Sequence, residues 1–193
     1  KPSYGLISRN GVLRTSYSLD HIGMFGRKVE DVAMLAKVLI KKDKFDPATI
    51  HYSTENILNE TKKGPLFEPK FIFYKTDHWK IIDKKSKESF EYFIKSFKKN
   101  IEIFDTPSYF KDIHKYHQII HETDLANNFS VYFKKFKKKL SKYMQDAITR
   151  GNKYSAKEYA EAIDFMKRSY ESYQEVFEDY HGVLSPSSPG VAP

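Results

Sequence analysis

Apolar positions change period several times along the chain, and each change marks an element. Val29, Val32, Leu35, Ala36 and Leu39 recur at helical spacing, which predicts a helix over 29–40 with one buried face. Glu30 and Asp31 fall in its first turn, where carboxylates favour the positive end of the helix dipole. Residues 84–99 are amphipathic, with Phe90, Phe93, Ile94 and Phe97 on one stripe. Residues 70–74 follow Pro69 and read as a strand, as do residues 101–104 ahead of Asp105-Thr106-Pro107. This strand–helix–strand order predicts a βαβ-like unit with a right-handed crossover.

The rest of the chain follows the same logic. Leu6-Ile7-Ser8 and Val12-Leu13-Arg14 are predicted as short strands around the turn Asn10-Gly11. Residues 41–69 read mainly as loop, with a short helix near 54–58, and residues 108–150 as helix with breaks. Ser155 opens a further helix as N-cap, with Glu158 completing a capping box. Tyr159, Ala162, Ile163, Met166, Tyr170, Tyr173 and Phe177 then form a sustained stripe predicted to be buried, opposite an acidic face. Val183-Leu184 reads as a last short strand before a Pro/Ser/Gly tail. The order is α/β or α+β, mostly helical by residue count, with no internal repeat.

Composition narrows the class. At 193 residues the chain has the length of about one domain. Its 40% apolar and 30% charged residues give a globular balance. No apolar run approaches the ~20 residues of a membrane helix, and the N-terminus has no apolar core like a signal peptide. The absence of cysteine excludes a disulfide scaffold, a thiol nucleophile and Cys-based metal sites, and is consistent with a cytoplasmic protein. The net charge of +8 invites a nucleic-acid reading. Of the 33 basic residues only five are arginine (Arg9, Arg14, Arg27, Arg150, Arg168), leaving 28 lysines, which argues against bidentate base and phosphate recognition. The densest cluster, between Lys134 and Lys142 with Phe133 and Phe136 adjoining, reads either as a solvated helix face or as a polyanion-binding surface.

Candidate chemistry is sparse. His114, His117 and His121 share one helix face, and the last two have the spacing of a zincin pair. The position that must hold the general-base Glu is Gln118, so the protease reading fails. The face reads as a half-buried packing surface with histidines at its margin, or as part of a metal site whose other ligands the sequence does not name. Ser185-Pro186-Ser187-Ser188 is not a G-x-S-x-G elbow, and phosphate-binding glycine loops are absent. Asn59-Glu60-Thr61 and Asn128-Phe129-Ser130 match the glycosylation sequon without other signs of secretion. The residues alone supply no complete catalytic set, and no cofactor is implied.

Residues 1–33 add a specific signal. The stretch Lys1-Pro2-Ser3-Tyr4-Gly5-Leu6-Ile7-Ser8-Arg9-Asn10-Gly11 is followed by Ser18-Leu19-Asp20-His21-Ile22-Gly23-Met24-Phe25-Gly26-Arg27-Lys28-Val29-Glu30-Asp31-Val32-Ala33. Together they resemble the K-P-T-x-G-x-x-S-R-x-G and S-L-D-x-x-G-P-x-x-R-[ST]-V-x-D-A-A stretches of the amidase signature family. Ser3, Met24 and Lys28 depart mildly from that pattern. Weaker similarity continues through the D-x-x-D-x-[TS] loop at 43–49, the H-E pair His121-Glu122, the segment 151–159 and the strand and loop at 181–193, where His181 replaces the usual Asp.

The resemblance implies an α/β fold, a mixed twisted sheet flanked by helices, and hydrolysis of a carboxamide C–N bond through a Ser–cis-Ser–Lys triad. In the family that triad lies ahead of the K-P-T stretch. Residues 1–193 are therefore expected to be the C-terminal-side portion of a single amidase signature domain, incomplete at both ends, with no catalytic residue of their own. The lack of an initial Met and the ending on Val191-Ala192-Pro193 fit that expectation. Asp20, Arg27 and Asp31 are expected to support the active site: Asp20 by holding the Ser-Leu-Asp turn, Arg27 and Asp31 by fixing the loop-to-helix junction. The implied partner is a small-molecule amide. Membrane association is not expected, nucleic acid is disfavoured and a homo-oligomer is left open. The family also includes the A subunit of glutamyl-tRNA amidotransferase. That branch carries a basic E-V-[KR]-R-R-I-like stretch where this chain has Tyr143-Met144-Gln145-Asp146-Ala147-Ile148, which favours a stand-alone amidase.

Overall fold

A computed structural model describes residues 1–64 and 66–190. It divides into two units, Lys1–Gly64 with Gln118–Tyr159, and Pro65–His117 with Ala160–Pro193.

In the first unit, α1 (Val29–Leu39) and the short α2 (Ile57–Glu60) follow an irregular N-terminal stretch. Ala36, Ile40 and Ile7 form one apolar cluster with Leu6, Ile22, Met24 and Ile57 against it. The buried face of α1 is thus the small Ala33 and Ala36 rather than the larger residues of the expected stripe. Val29, Leu35 and Leu39 are exposed, as are Met34 and Val38. Apolar residues run all round this helix, so periodicity alone did not single out the covered side. The expected hairpin over residues 6–14 is not formed. Ile7 makes one isolated bridge with Ile40, and Val12 and Leu13 are exposed. The turn itself is present: Gly11 has φ +82° and Val12 N–H donates to the Arg9 carbonyl. The Arg9 N–H is taken by the Asp46 carboxylate and the Asn10 N–H by the Ser8 hydroxyl. Gly5, also at φ +82°, approaches Ala48 so closely that a Cβ would overlap the Ala48 carbonyl oxygen.

Three further helices complete this unit: the C-terminal part of α4 (Ile113–Asn128), α5 (Ser130–Phe136) and α6 (Lys142–Gly151). Leu125, Ala126 and Phe129 pack on Ala147 and Ile148, which are fully buried, with Phe133, Leu140 and Met144 at the edge. Ser141 caps α6 by accepting from Met144 N–H. The end of α6 lies on α4 so tightly that any Cβ at Gly151 would overlap the Glu122 carbonyl. The basic run occupies the end of α5, the 3-10 turn Lys137–Lys139 and the first residue of α6, all its lysines exposed, with Lys137 over the Phe133 ring at 4.9 Å.

The second unit is built on β1 (Phe71–Lys75), α3 (Lys84–Ser96) and β2 (Ile101–Asp105), the expected βαβ order. β1 pairs in parallel with β2, Phe71 opposite Ile101, and on its other edge with β3 (Gly182–Leu184), Phe71 opposite Gly182. The strand order is β2-β1-β3. Central β1 is buried at Ile72, Phe73 and Tyr74, and Phe73 packs with Ile94 and Ile101 under Trp79, Phe90 and Leu184. Asp83 caps α3 by accepting from Ser86 N–H.

The long α7 (Ala156–Asp179) begins with the expected capping box: Ser155 Oγ accepts from Glu158 N–H, and Ser155 N–H donates to the Glu158 carboxylate. Its stripe is not buried throughout. Ala162 is buried, while Tyr170 and Phe177 stand 68% and 53% exposed. Among the described residues no helix is long and apolar enough to cross a membrane.

Candidate functional site

The stretches singled out by sequence form three interlocks in the first unit. In the first, Arg9 meets Asp46. Its Nε and Nη2 donate to the two carboxylate oxygens at 2.9 and 2.7 Å, and its backbone N–H adds a third bond at 2.9 Å. The pair is nearly closed off, the side chains 12% and 5% exposed. Nη1 reaches the Tyr4 hydroxyl and the Tyr17 carbonyl, and the guanidinium lies over both tyrosine rings at 4.8 and 4.9 Å. Ser8 Oγ donates to Asp43 at 2.7 Å, and Thr49 Oγ1 accepts from Asp43 N–H at 2.8 Å. The Arg9 hydrogen bonds hold the Asp46 carboxyl well below the usual carboxylate range, against the opposing effect of burial.

The second interlock centres on Asp20. Its carboxylate accepts from Thr15 N–H (2.9 Å), Thr15 Oγ1 (2.5 Å) and Ser16 N–H (3.0 Å), closing the turn that carries Ser18-Leu19-Asp20. Ser16, fully buried, donates to Asp124 Oδ2 at 2.5 Å, and Asp124 Oδ1 accepts from the Tyr159 hydroxyl at 2.9 Å. Burial, followed by the Asp124 interaction, pushes the Tyr159 phenol up. A serine that is wholly enclosed and donates to a carboxylate is a strut, closed to substrate.

The third interlock is Glu122, also buried. It accepts from Arg150 Nε and Nη2 at 3.0 and 2.5 Å, from Gln118 at 3.1 Å and from the Tyr154 hydroxyl at 3.3 Å. Burial pushes the Glu122 carboxyl up, but the donors outweigh it and leave the group below its ordinary value.

Asp31 and Arg27 differ in what they do. Asp31 Oδ2 accepts from Lys28 N–H at 3.1 Å and so closes the start of α1. Arg27 is exposed and makes no hydrogen bond or ion pair among the described residues. Sequence reasoning placed Tyr159 only in the apolar stripe of α7 and gave no role to Asp124, Arg150 or the Arg9–Asp46 pairing. A carboxylate set among the apolar residues of α4 was the available signal for Asp124 and Glu122.

The second unit carries cavities at the carboxyl ends of its strands. One, of about 380 Å³, lies between the segment after β1 and the loop after β3. Thr76, His78 and His114 face Ser185, Ser187 and Ser188 across it, with Ile82 and Pro186 as apolar wall. The His78 and His114 rings meet edge to face, centroids 4.1 Å apart. Asp83 N–H donates to the Pro189 carbonyl at 2.8 Å and ties the serine loop to the start of α3. An adjoining cavity of about 220 Å³ shares Thr76 and His114 and adds Lys75, Lys80, Lys111 and Asp105. His117 and His121 do not line either cavity, and no group of three or more metal-binding side chains occurs among the described residues. The end of the tail motif, Val191-Ala192-Pro193, lies outside the described residues.

A parallel sheet bordered by helices, joined in sequence to an irregular N-terminal frame locked by carboxylates, defines an α/β protein with its polar loops at the strand ends. The family model for amidases matches residues 1–193, and the chain belongs to the amidase family. It is 48% identical over 56 residues to the A subunit of the glutamyl-tRNA(Gln) amidotransferase of Mycoplasma genitalium, covering 29% of this chain and 12% of that protein. The corresponding protein of Clostridium botulinum (strain Okra / Type B1) is 26% identical over 223 residues, covering 100% of this chain and 45% of that protein. A solved structure from a vestigial protein complex that reveals the origins of an s-triazine catabolic enzyme matches with a TM-score of 0.85 at 16% identity, over 100% of this chain and 42% of that one. The chain thus spans less than half the length of the relatives it matches end to end.

Proposed function

We propose that these residues are the C-terminal-side portion of an amidase domain that hydrolyses the C–N bond of a small carboxamide to a carboxylate and an amine or ammonia. In this reading a serine oxygen attacks the amide carbonyl, a second serine relays the proton, a neutral lysine is the base and backbone N–H groups hold the oxyanion. Those groups come from outside residues 1–193. The chain supplies the frame beneath them, with Asp20 and Asp31 as positioning residues, and works in the cytoplasm. What supports the reading is that the family match runs over residues 1–193 and that Arg9, Asp20 and Asp31, all within its most specific stretches, each bond to backbone, Arg9 through the Tyr17 carbonyl.

A second reading has its own support. The curated relatives named above are A subunits of amidotransferases, so the chain is also proposed as a component of that kind, acting on glutamine in such a complex. Against it, the stretch 143–148 is not basic: Asp146 accepts from Lys142 at 2.8 Å, and Ala147 and Ile148 are core. A third assignment, a basic module binding polyanions through Lys134 to Lys142, rests only on the exposure of that run.

Ammonia release from acetamide, benzamide and glutamine, by the polypeptide that carries these residues, separates the readings. Turnover of free amides by the protein alone supports the stand-alone amidase. Glutamine turnover that requires added partner subunits and glutamyl-tRNA supports the second reading. No turnover in either arm overturns both, and a steep salt-dependent affinity for RNA that flattens on changing Lys137, Lys138 and Lys139 to Gln would then favour the basic module.

A further inference from the structure

In parallel α/β sheets, ligands bind outside the carboxyl ends of the strands, at the point where connections leave to opposite sides. Here β1 leads through α3 to β2 on one edge, and the chain returns as β3 on the other, so the switch point lies between β1 and β3. The 380 Å³ cavity sits at that place, lined by residues that follow β1 and β3, and its size is that of a small-ligand pocket. Its polar wall carries the hydroxyls of Thr76, Ser185 and Ser187 and the imidazoles of His78 and His114, each able to donate one hydrogen bond, whereas the Ser188 hydroxyl already donates to the Gly190 carbonyl. None of the described residues lining it is a carboxylate. Asp83 caps α3 through Oδ1, which accepts from Ser86 N–H, while its Oδ2 lies beside Gly190 at the end of the serine loop. The adjoining cavity is lined by Lys75, Lys80 and Lys111 together with Asp105. The serine loop is held in place by Asp83 N–H and by the Ser188 Oγ bond to the Gly190 carbonyl.

We propose that this crevice is a carboxylate-binding site that receives the acidic end of a small amide, with His78, His114 and Ser187 as donors to the carboxylate oxygens. The amide half of that assignment rests on the amidase reading; the anion half rests on the lining alone. It makes half-amides of dicarboxylic acids the favoured substrate class over neutral amides.

The test is direct binding, which needs no turnover. The imidazole proton resonances of the protein are followed by NMR at pH 7 in 0.1 M NaCl, where loose attraction to surface lysines reaches only about 10 Å. Succinamate is titrated against its neutral counterpart succinamide. Saturable shifts of His78 and His114 with succinamate, and binding of succinamide weaker by roughly tenfold, are expected. His114→Asn and Ser187→Ala, each checked for unchanged urea unfolding, should each weaken succinamate by roughly five- to tenfold, read on His78. Lys139→Gln, in the first unit, should leave the titration unchanged. Equal binding of succinamide, no shift with succinamate, or an equal loss in Lys139→Gln overturns the site. Binding that persists when the longer polypeptide carrying these residues shows no amide turnover would leave the anion half standing and sink the amide half together with the hydrolase reading.

Discussion

Removing the Arg9 guanidinium while keeping its bulk, Arg9→Met, strands Asp46. Its carboxylate is 5% exposed and loses two charge-assisted bonds of 2.9 and 2.7 Å. The backbone N–H groups of Arg9 and Ala48 still reach it at 2.9 and 3.2 Å. Breaking a buried pair from one side costs about 3–5 kcal/mol, and the two surviving donors bring the expected loss to about 2–4 kcal/mol. Asp46→Asn is the milder change, about 1–2 kcal/mol, because Arg9 keeps Tyr4, Tyr17 and their ring faces. The double variant should lose less than the sum, since neither charge is then left alone. Urea unfolding followed by far-UV circular dichroism measures all three. The pH dependence has a fixed sign. Asp46 is depressed in the folded state, so its contribution is complete above the ordinary Asp value near 3.8 and fades as pH falls through the lower folded value. The gap between wild type and Arg9→Met should therefore narrow below about pH 4. A single-variant loss under about 1 kcal/mol, or strict additivity in the double variant, would refute the claim that this pair locks the loop.

Other outcomes follow from the same geometry. Ile148→Ala empties a fully buried site between α4 and α6 and should cost about 2–5 kcal/mol in the same unfolding assay. Gly151→Ala places a methyl group on the Glu122 carbonyl and should destabilise by about 1–3 kcal/mol or more, a larger loss than any helix-propensity gain. The Tyr180 phenol, pushed up to about 12 by its hydrogen bond to Glu102, should give a high-pH step in ultraviolet difference spectra that Glu102→Gln moves back toward about 10. Stability contributed by Glu122 should be present above the ordinary Glu range and lost as pH falls through its depressed folded value, seen as an acid-unfolding midpoint that moves in Glu122→Gln.

Much of the helix and strand order was legible because periodicity and caps are local. The βαβ segment, Ser155 as cap and the last short strand follow from nearest neighbours in the chain. The faces were less legible. α1 is apolar all round, so its covered side depended on where Ile7 and Ile40 meet it. The α7 stripe stays open at Tyr170 and Phe177, which pattern reading assigns to a core. The hairpin expected over residues 6–14 lost to side-chain partners: Ser8 and Arg9 bond to Asp43 and Asp46, more than thirty positions away. Both stretches were visible as motifs, but their pairing is a tertiary fact that spacing does not encode. Asp20 and Asp31, which the family resemblance pointed to, bond to backbone within five residues of themselves. Arg27 lay in the same motif and holds nothing among the described residues, so motif membership alone did not assign a contact.

The central claim is that the serine chemistry belongs to this family's enzyme but not to these residues. Labelling the polypeptide that carries them with a fluorophosphonate, with mapping of the modified peptide by mass spectrometry, tests it most directly. The account predicts one labelled serine outside residues 1–193, modified in step with loss of amide turnover. A label on Ser185, Ser187, Ser188 or any other serine within the chain, or an active preparation that resists labelling altogether, would contradict it.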